Sequence, residues 1–316
     1  SMGGTSIILK GLLFIFTLAI SGSGLAAEEP AQSQKTDLLK TANELFERGE
    51  FSGARTYYER YLKDNPKDAR VQAVEMMIAE CALESARLLG SAAPGEDRTV
   101  YLDNRLALLY SRVLQINPDT YLADGAQFRI NEIFYGMGAW IESSKAWDKF
   151  LDHRDASYLK GEALKAQSQT LAAQGRWEEA GRVLEELSRY NPAYDEMDDV
   201  RYLHGVMSFY RKDYEPAVSY LQKMSSTTAA GLYYLGKSYL ALGRGIFGAQ
   251  KFHELIRQFP GASFATEAEF LTAESNFAAQ DYPAAIKSFS HFVQTYPTSA
   301  LRWAAHYKIG YSQFAQ

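Results

Sequence analysis

The chain has 316 residues, of which 47% are hydrophobic, so it is long enough to bury a sizeable core and to form about two domains. Its formal net charge is −5 at pH 7 and no stretch is strongly basic, which argues against a nucleic-acid partner. Cys81 is the only cysteine, so no internal disulfide is available and stability must come from packing.

The N-terminal 26 residues predict a secretory signal peptide. Lys10 precedes an apolar run of ten residues, GLLFIFTLAI (11–20), and the small residues Gly24 and Ala26 suit cleavage before Ala27. The run is shorter than the roughly 20 residues that a membrane-spanning helix needs. We therefore expect an exported protein, periplasmic or envelope-associated.

An uncleaved signal that anchors the chain in the inner membrane is the alternative to cleavage.

Ser1 before Met2 is typical of a residue left by a cloning vector. Residues 27–35 are interpreted as a linker that leads into the folded part of the chain.

From residue 36 to residue 316 the sequence repeats a pattern typical of paired helices. In GEFSGARTYYERYLKDNP (49–66) an aromatic residue is followed by a small residue three positions later, large residues at seven and ten, and proline at fifteen. The pattern recurs in GRWEEAGRVLEELSRYNP (175–192) and QDYPAAIKSFSHFVQTYP (280–297). Positions three, seven and ten share one helix face, and proline ends the helix. An apolar helix precedes each copy, so each unit is predicted to be helix, short turn, helix.

Two units depart from this pattern. The unit at about 69–118 is long, and we predict helices at about 69–89 and 97–116 joined by the loop GSAAPGEDR (90–98). At the C-terminus, ALRWAAHYKIGYSQFAQ (300–316) reads as a first helix without its partner. The last repeat is therefore expected to be truncated, and the natural protein to continue.

The recurring pattern resembles the tetratricopeptide repeat over roughly residues 36 to 316. The matching residues in two copies are Leu235, Gly236, Tyr239, Phe252 and Pro260, and Ala42, Leu45, Ala54, Tyr58 and Pro66. The resemblance implies an all-α fold, a right-handed superhelix of about seven helix pairs plus an unpaired last helix. The units are also similar to envelope members of the family, namely the lipoprotein of the outer-membrane barrel-assembly machine and the periplasmic coordinator of the Tol–Pal system. The cysteine that a lipid anchor requires is absent.

A G-x-G-x-x-G match at Gly243, Gly245 and Gly248 raises the possibility of a phosphate-binding loop. That motif requires a preceding strand, whereas the repeat predicts a helix at 231–242. We therefore interpret Gly243 and Gly245 as turn residues and Gly248 as a close helix contact. No histidine pair has metal-ligand spacing, and no nucleophile has a recognisable partner. We predict no cofactor, no metal and no catalysis within this segment.

The resemblance also implies a concave groove lined by the first helices of the repeats. In register, its fifth and ninth helical positions carry an aromatic row with interspersed charges. The predicted partner-binding residues are Phe128, Lys165, Tyr202, Tyr233, Lys237, Phe270, Glu274 and Tyr307. The alternative is that some of these aromatic residues belong to the core between repeats.

These observations favour a non-catalytic scaffold or adaptor of the bacterial cell envelope that binds a protein or peptide. Membrane proximity through envelope complexes is a further expectation. One alternative is a component of a polysaccharide synthesis or export apparatus whose aromatic residues contact glycan. Another is an accessory region of an enzyme whose catalytic domain lies beyond residue 316. The identity of the partner is not encoded in any motif.

Overall fold

A computed structural model describes residues 30–92 and 103–316, which form fifteen α-helices, one short 3₁₀ helix and no β-strand. The chain divides into two compact units, the first ending at Gly175 and the second beginning at Arg176. The helices of the first unit are α1 (Pro30–Glu47), α2 (Phe51–Asp64), α3 (Val71–Ala92), α4 (Asn104–Ile116), α5 (Tyr121–Gly136), α6 (Trp140–His153) and α7 (Lys160–Ala173).

The second unit contains the remaining eight α-helices. They are α8 (Trp177–Tyr190), α9 (Asp198–Tyr210), α10 (Tyr214–Gln222), α11 (Ala229–Ala241), α12 (Gly245–Gln258), α13 (Ala265–Ala278), α14 (Tyr282–Thr295) and α15 (Arg302–Ala315). The 3₁₀ helix, Pro192–Glu196, lies between α8 and α9 and was not predicted. Within each unit consecutive helices pack against one another, which confirms the all-α repeat architecture.

The helix pairs form because small and large side chains alternate on the second helix of each pair. In α14, Ala285, Phe289 and Phe292 are completely buried, and in α2 the same holds for Ala54 and Tyr58. The small residue lets the two helix backbones approach, and the large residues fill the space beside it. The predicted spacing of three, seven and ten residues is thus the packing face of the second helix.

The turn between paired helices has one recurring backbone requirement. The residue two positions before the second helix adopts a left-handed conformation, with φ between +59° and +78°. Glycine meets this requirement without strain, since it has no Cβ. The residues at this position are Gly49, Gly138, Gly175, Lys212, Gly243 and Gln280.

The structure corrects two predicted boundaries. Helix α1 begins at Pro30, inside the predicted linker 27–35, because proline is tolerated at the first turn and no glycine or proline follows until residue 49. Helix α4 begins at Asn104 rather than at 97, since the Asp103 carboxylate accepts hydrogen bonds from two backbone amides of the first turn.

Two predictions fall largely or wholly outside the described residues. These are the signal peptide at 1–26 and the greater part of the loop at 90–98. Within the residues that the structure describes, no helix combines the length and the apolar character needed to cross a bilayer.

Candidate interaction surface

Phe128 and Phe270, which were predicted to line the groove, lie instead in the core of their helix pairs. The Phe128 ring is 2% exposed, and its centroid is 4.8 Å from that of Trp147 in α6. Phe270 is also buried, with its centroid 5.6 Å from that of Phe289 in α14. Each ring faces the large residues of its own second helix, so neither is available to a partner.

Lys165 is a second correction, because its charge does not face open solvent. It is buried on α7, where its ammonium lies 3.1 Å from the carboxylate of Glu162, one helical turn earlier. The attraction within this pair offsets part of the cost of removing both charges from water. The residue therefore does not set the polarity of an accessible groove.

Lys237 on α11 does lie on a partly open surface, packed between aromatic rings of neighbouring first helices. Its Nζ is 4.9 Å from the ring centroid of Tyr233 and 5.6 Å from that of Phe209 on α9. It also donates a hydrogen bond of 3.1 Å to Tyr233 Oη. Among the described residues, Lys237 therefore contacts the faces of two aromatic rings and a phenol oxygen. These groups attract a cation without neutralising its charge.

Tyr233 links this site to the next first helix, α13. Its hydroxyl donates a hydrogen bond of 2.8 Å to Glu267. Burial, and after it the hydrogen bond to Glu267, raises the pKa of Tyr233 well above its ordinary value. The Tyr233 side chain is buried. It packs against Lys237 and does not present the exposed ring that was predicted.

A second cation–aromatic site lies between α13 and α15. Lys308 Nζ is 4.0 Å from the ring centroid of Phe277 and 3.5 Å from the carboxylate of Glu274. The Phe277 ring lies 5.4 Å from that of Tyr311. Glu274, predicted as a groove residue, is therefore half-buried and already paired with a lysine of the next helix.

Further aromatic side chains lie on α8, α9 and α11, next to the rings that hold Lys237. Tyr210 stacks on Trp177 with a centroid distance of 3.9 Å and an interplanar angle of 6°, yet remains 42% exposed. Its hydroxyl oxygen is 3.1 Å from that of Tyr234. Tyr234 also contacts the rings of Tyr202 and Phe209. Burial, and then the hydrogen bond with Tyr210, raises the pKa of Tyr234.

We call these side chains the aromatic–lysine surface. It consists of Trp177, Tyr202, Phe209, Tyr210, Tyr233, Tyr234 and Lys237. Sequence reasoning found Tyr202, Tyr233 and Lys237 and missed the other four. One signal was available, since an aromatic residue recurs seven positions after the predicted one, at Phe209 after Tyr202 and at Phe277 after Phe270. Seven residues are two helical turns, which returns to the same face.

Tyr307, the last predicted groove residue, is 67% exposed on α15. It occupies the same repeat position as Phe128 and Phe270, but no helix of the described residues covers it. Among the described residues, Tyr307 therefore lies on an exposed face of α15.

Gly243 lies in the turn and Gly248 at a close helix contact, as predicted, whereas Gly245 is the first residue of α12 rather than a turn residue. A Cβ on Gly248 would lie 3.1 Å from the carbonyl oxygen of Gly236, and one on Gly245 would lie 2.3 Å from the carbonyl oxygen of Ser275. A helix, α11, precedes the motif where a phosphate loop needs a strand.

The next question is whether the described residues include a metal site or a reactive thiol. Within residues 30–92 and 103–316, no three histidine, cysteine or acidic side chains form a group that could hold a metal ion. The thiol of Cys81 is buried, and burial raises its pKa to about 12. A thiol with so high a pKa has little of the thiolate character that nucleophilic chemistry needs.

Two segments match known sequence families. Residues 39–96 match one tetratricopeptide-repeat family and residues 267–299 match another. No curated protein sequence is significantly similar to the chain.

Solved structures with a similar fold include two that are described as tetratricopeptide-repeat proteins. One from Parabacteroides merdae has a TM-score of 0.55 at 10% identity and covers 89% of this chain and 99% of its own. PilW, described as a widely conserved type IV pilus biogenesis factor, has a TM-score of 0.54 at 17% identity and covers 74% and 97%. YrrB, described as having an unusual peptide-binding site, has a TM-score of 0.52 at 14% identity and covers 63% and 98%.

These identities are low enough that the similarity concerns the fold alone. The two sequence matches lie in different compact units, one near each end of the described chain. The chain therefore carries tetratricopeptide repeats in both units, at residues 39–96 and at residues 267–299.

Proposed function

We propose that the chain is a non-catalytic adaptor that binds a peptide segment of a partner protein on the aromatic–lysine surface of its second unit. The observation that carries the proposal is Lys237, a half-buried ammonium that lies over the rings of Phe209 and Tyr233. The exposed ring of Tyr210 lies 5.4 Å from that of Phe209. Rigid aromatic side chains around one oriented charge are typical of the centre of a protein-binding site.

The chemistry of the surface suits an extended or irregular peptide. The phenol hydroxyl of a residue such as Tyr210 or Tyr202 can donate and accept hydrogen bonds with peptide groups, and its ring can cover apolar side chains. Lys237 favours a segment that places a carboxylate or a backbone carbonyl over it. The peptide-binding site of YrrB, whose fold is similar, supports this class of function.

A display library of random peptides would supply a defined ligand for the test. We expect Tyr210→Ala and Lys237→Ala each to raise the Kd of a selected peptide about tenfold or more, because hot-spot side chains at the centre of a site contribute that much. The Kd is measured by fluorescence anisotropy, and thermal unfolding checks that both variants fold.

Tyr190→Ala is the matched control, since Tyr190 is 48% exposed on α8 and lies outside the aromatic–lysine surface. It should leave the Kd unchanged. The proposal fails if Tyr190→Ala weakens binding as much as Tyr210→Ala, or if both surface variants bind like the unaltered chain.

We also propose that the chain is exported to the cell envelope. The apolar run 11–20 and the small residues before Ala27 support this proposal. PilW, which is similar in fold, is described as a type IV pilus biogenesis factor. Mass spectrometry of the protein from its native host should find a mature N-terminus near Ala27. An intact N-terminus in the membrane fraction would support the anchored alternative. The closer kinship to outer-membrane assembly or Tol–Pal proteins stays a prediction.

A further inference from the structure

The aromatic–lysine surface offers hydrogen-bond donors and few acceptors. None of its side chains carries a carboxylate or an amide. Lys237 has three N–H groups, of which one donates to Tyr233 Oη. The hydroxyl oxygens of Tyr210 and Tyr234 lie 3.1 Å apart, and whichever of them donates, the proton of the other points away from the pair. A ligand that fits this surface therefore presents acceptors and has few donors of its own.

The carboxylate of Glu267 on α13 contacts this surface but is already engaged. Its Oε1 accepts a hydrogen bond of 2.8 Å from Tyr233 Oη, which in turn accepts one from Lys237. Among the described residues Lys237 forms no ion pair of its own, since its contacts are two ring faces and this hydroxyl. The charge of Lys237 therefore favours a ligand that brings a carboxylate.

The ring of Tyr210 is exposed but fixed in its orientation. Trp177 stacks on it at a centroid distance of 3.9 Å, and the rings of Phe209 and Tyr234 lie 5.4 and 5.9 Å from it. Tyr210 is nevertheless 42% exposed. A ring held in this way gives a ligand contact area at little cost in conformational freedom. Aromatic surfaces of this kind are what proline-rich segments pack against.

The spacing of the first helices matches the pitch of a polyproline II helix. Tyr202 and Tyr210 of α9 contact Tyr234 of α11, with centroid distances of 6.3 and 5.9 Å. Tyr233 of α11 in turn contacts Glu267 of α13. Helices in contact lie roughly 8–10 Å apart, and a polyproline II helix advances roughly 9 Å in each turn. A segment in this conformation that crosses α9 and α11 therefore presents the same face to each helix.

Proline also meets the hydrogen-bond requirement of the surface. It has no backbone N–H, but it keeps its carbonyl acceptor. An ordinary extended peptide brings one N–H for each residue, and those that face the rings find no acceptor there. The hydroxyl groups of a glycan are donors as well, so a glycan fits this surface less well. A polyproline II segment is, in addition, already ordered before it binds.

We propose that the aromatic–lysine surface binds a proline-rich segment of a partner protein in the polyproline II conformation, with an acidic residue among the prolines that lies over Lys237. Pyrrolidine rings pack against Tyr210 and Tyr202, and a carbonyl oxygen accepts the remaining hydroxyl proton of the Tyr210–Tyr234 pair. This inference rests on the peptide-binding function proposed above and names the class of its ligand.

Three synthetic peptides of equal length test the ligand class. The first consists of prolines with one central glutamate, the second has lysine in place of the glutamate, and the third has alanines in place of the prolines. We expect the proline–glutamate peptide to bind the full chain about tenfold or more tightly than the alanine peptide, as contacts at the centre of a binding site contribute that much. The Kd of each peptide is measured by fluorescence anisotropy.

Two variants separate the contribution of the rings from that of the charge. Tyr210→Ala should remove most of the preference for proline over alanine, because it removes the exposed ring. Lys237→Met should keep that preference and lose the preference for glutamate over lysine, since methionine retains an apolar stem without the charge. Tyr190→Ala is the control and should change neither preference, and thermal unfolding checks that all three variants fold.

Peptides selected from the random display library separate this inference from the function on which it rests. We expect the selected peptides to be enriched in proline with a neighbouring acidic residue. Selected peptides that depend on Tyr210 without any enrichment in proline would overturn the inference and leave the peptide-binding function standing. If no selected peptide depends on Tyr210 or Lys237, both fail. The inference is also overturned if the proline and alanine peptides bind equally, or if a cello-oligosaccharide binds the surface more tightly than the proline–glutamate peptide.

Discussion

At the residue scale, the strongest polar constraint in the first unit is the buried pair of Arg129 and Glu80. Neither side chain is exposed, and the guanidinium reaches both carboxylate oxygens at 2.8 and 3.0 Å. Tyr110 donates a third hydrogen bond to Glu80 at 2.7 Å. Burial alone lowers the pKa of Arg129, but Glu80 and Glu132 outweigh it, so the pKa lies well above its ordinary value. The cluster ties α3, α4 and α5 together.

We expect Glu80→Gln to lower the free energy of unfolding by about 3–5 kcal/mol, because it leaves the buried Arg129 charge with only the partly exposed carboxylate of Glu132 as a partner. Urea unfolding followed by circular dichroism measures this change. The matched control is Glu59→Gln, which removes the exposed pair with Arg55 and should cost less than about 0.5 kcal/mol. Similar small costs for both variants would show that the buried pair is not a constraint.

At the element scale, local patterns predicted which helices pair but not which neighbour covers each face. The small residue at the third position and the large residues at the seventh and tenth marked the packing face of α2 and α14 correctly. Burial at the fifth position of the first helix was harder to predict. Phe270 and Tyr202 occupy the same register position, and they differ in burial because different neighbouring side chains pack on them. Contacts such as Glu80 with Arg129 join residues 49 positions apart, and no local pattern encodes them.

Glycines at one register position test the packing of helix pairs directly. Gly236→Ala should lower the thermal unfolding midpoint, because its Cβ would lie 2.7 Å from the ring of Phe252. Gly310→Ala should instead stabilise the chain by about 0.5–1 kcal/mol, since alanine is the better helix former and the space there is open. A lower midpoint for Gly310→Ala as well would contradict the open space at that position.

At the scale of the whole molecule, each unit is a series of helix pairs in which a helix contacts mainly its neighbours in sequence. Such an arrangement repeats one surface along successive first helices, and this is how α9, α11 and α13 place Phe209, Lys237 and Glu267 in one connected group. The repeat architecture was predictable from spacing alone. The surface was not, because it depends on which aromatic residues the second helices leave uncovered.

The central claim is that a peptide binds along the first helices of the second unit. Hydrogen–deuterium exchange of the full chain, with and without a peptide selected from a display library, tests it most directly. The account predicts that bound peptide slows exchange in residues 198–210, 229–241 and 265–278. Slower exchange confined to the second helices, at residues 214–222, 245–258 and 282–295, or confined to the first unit, would contradict it.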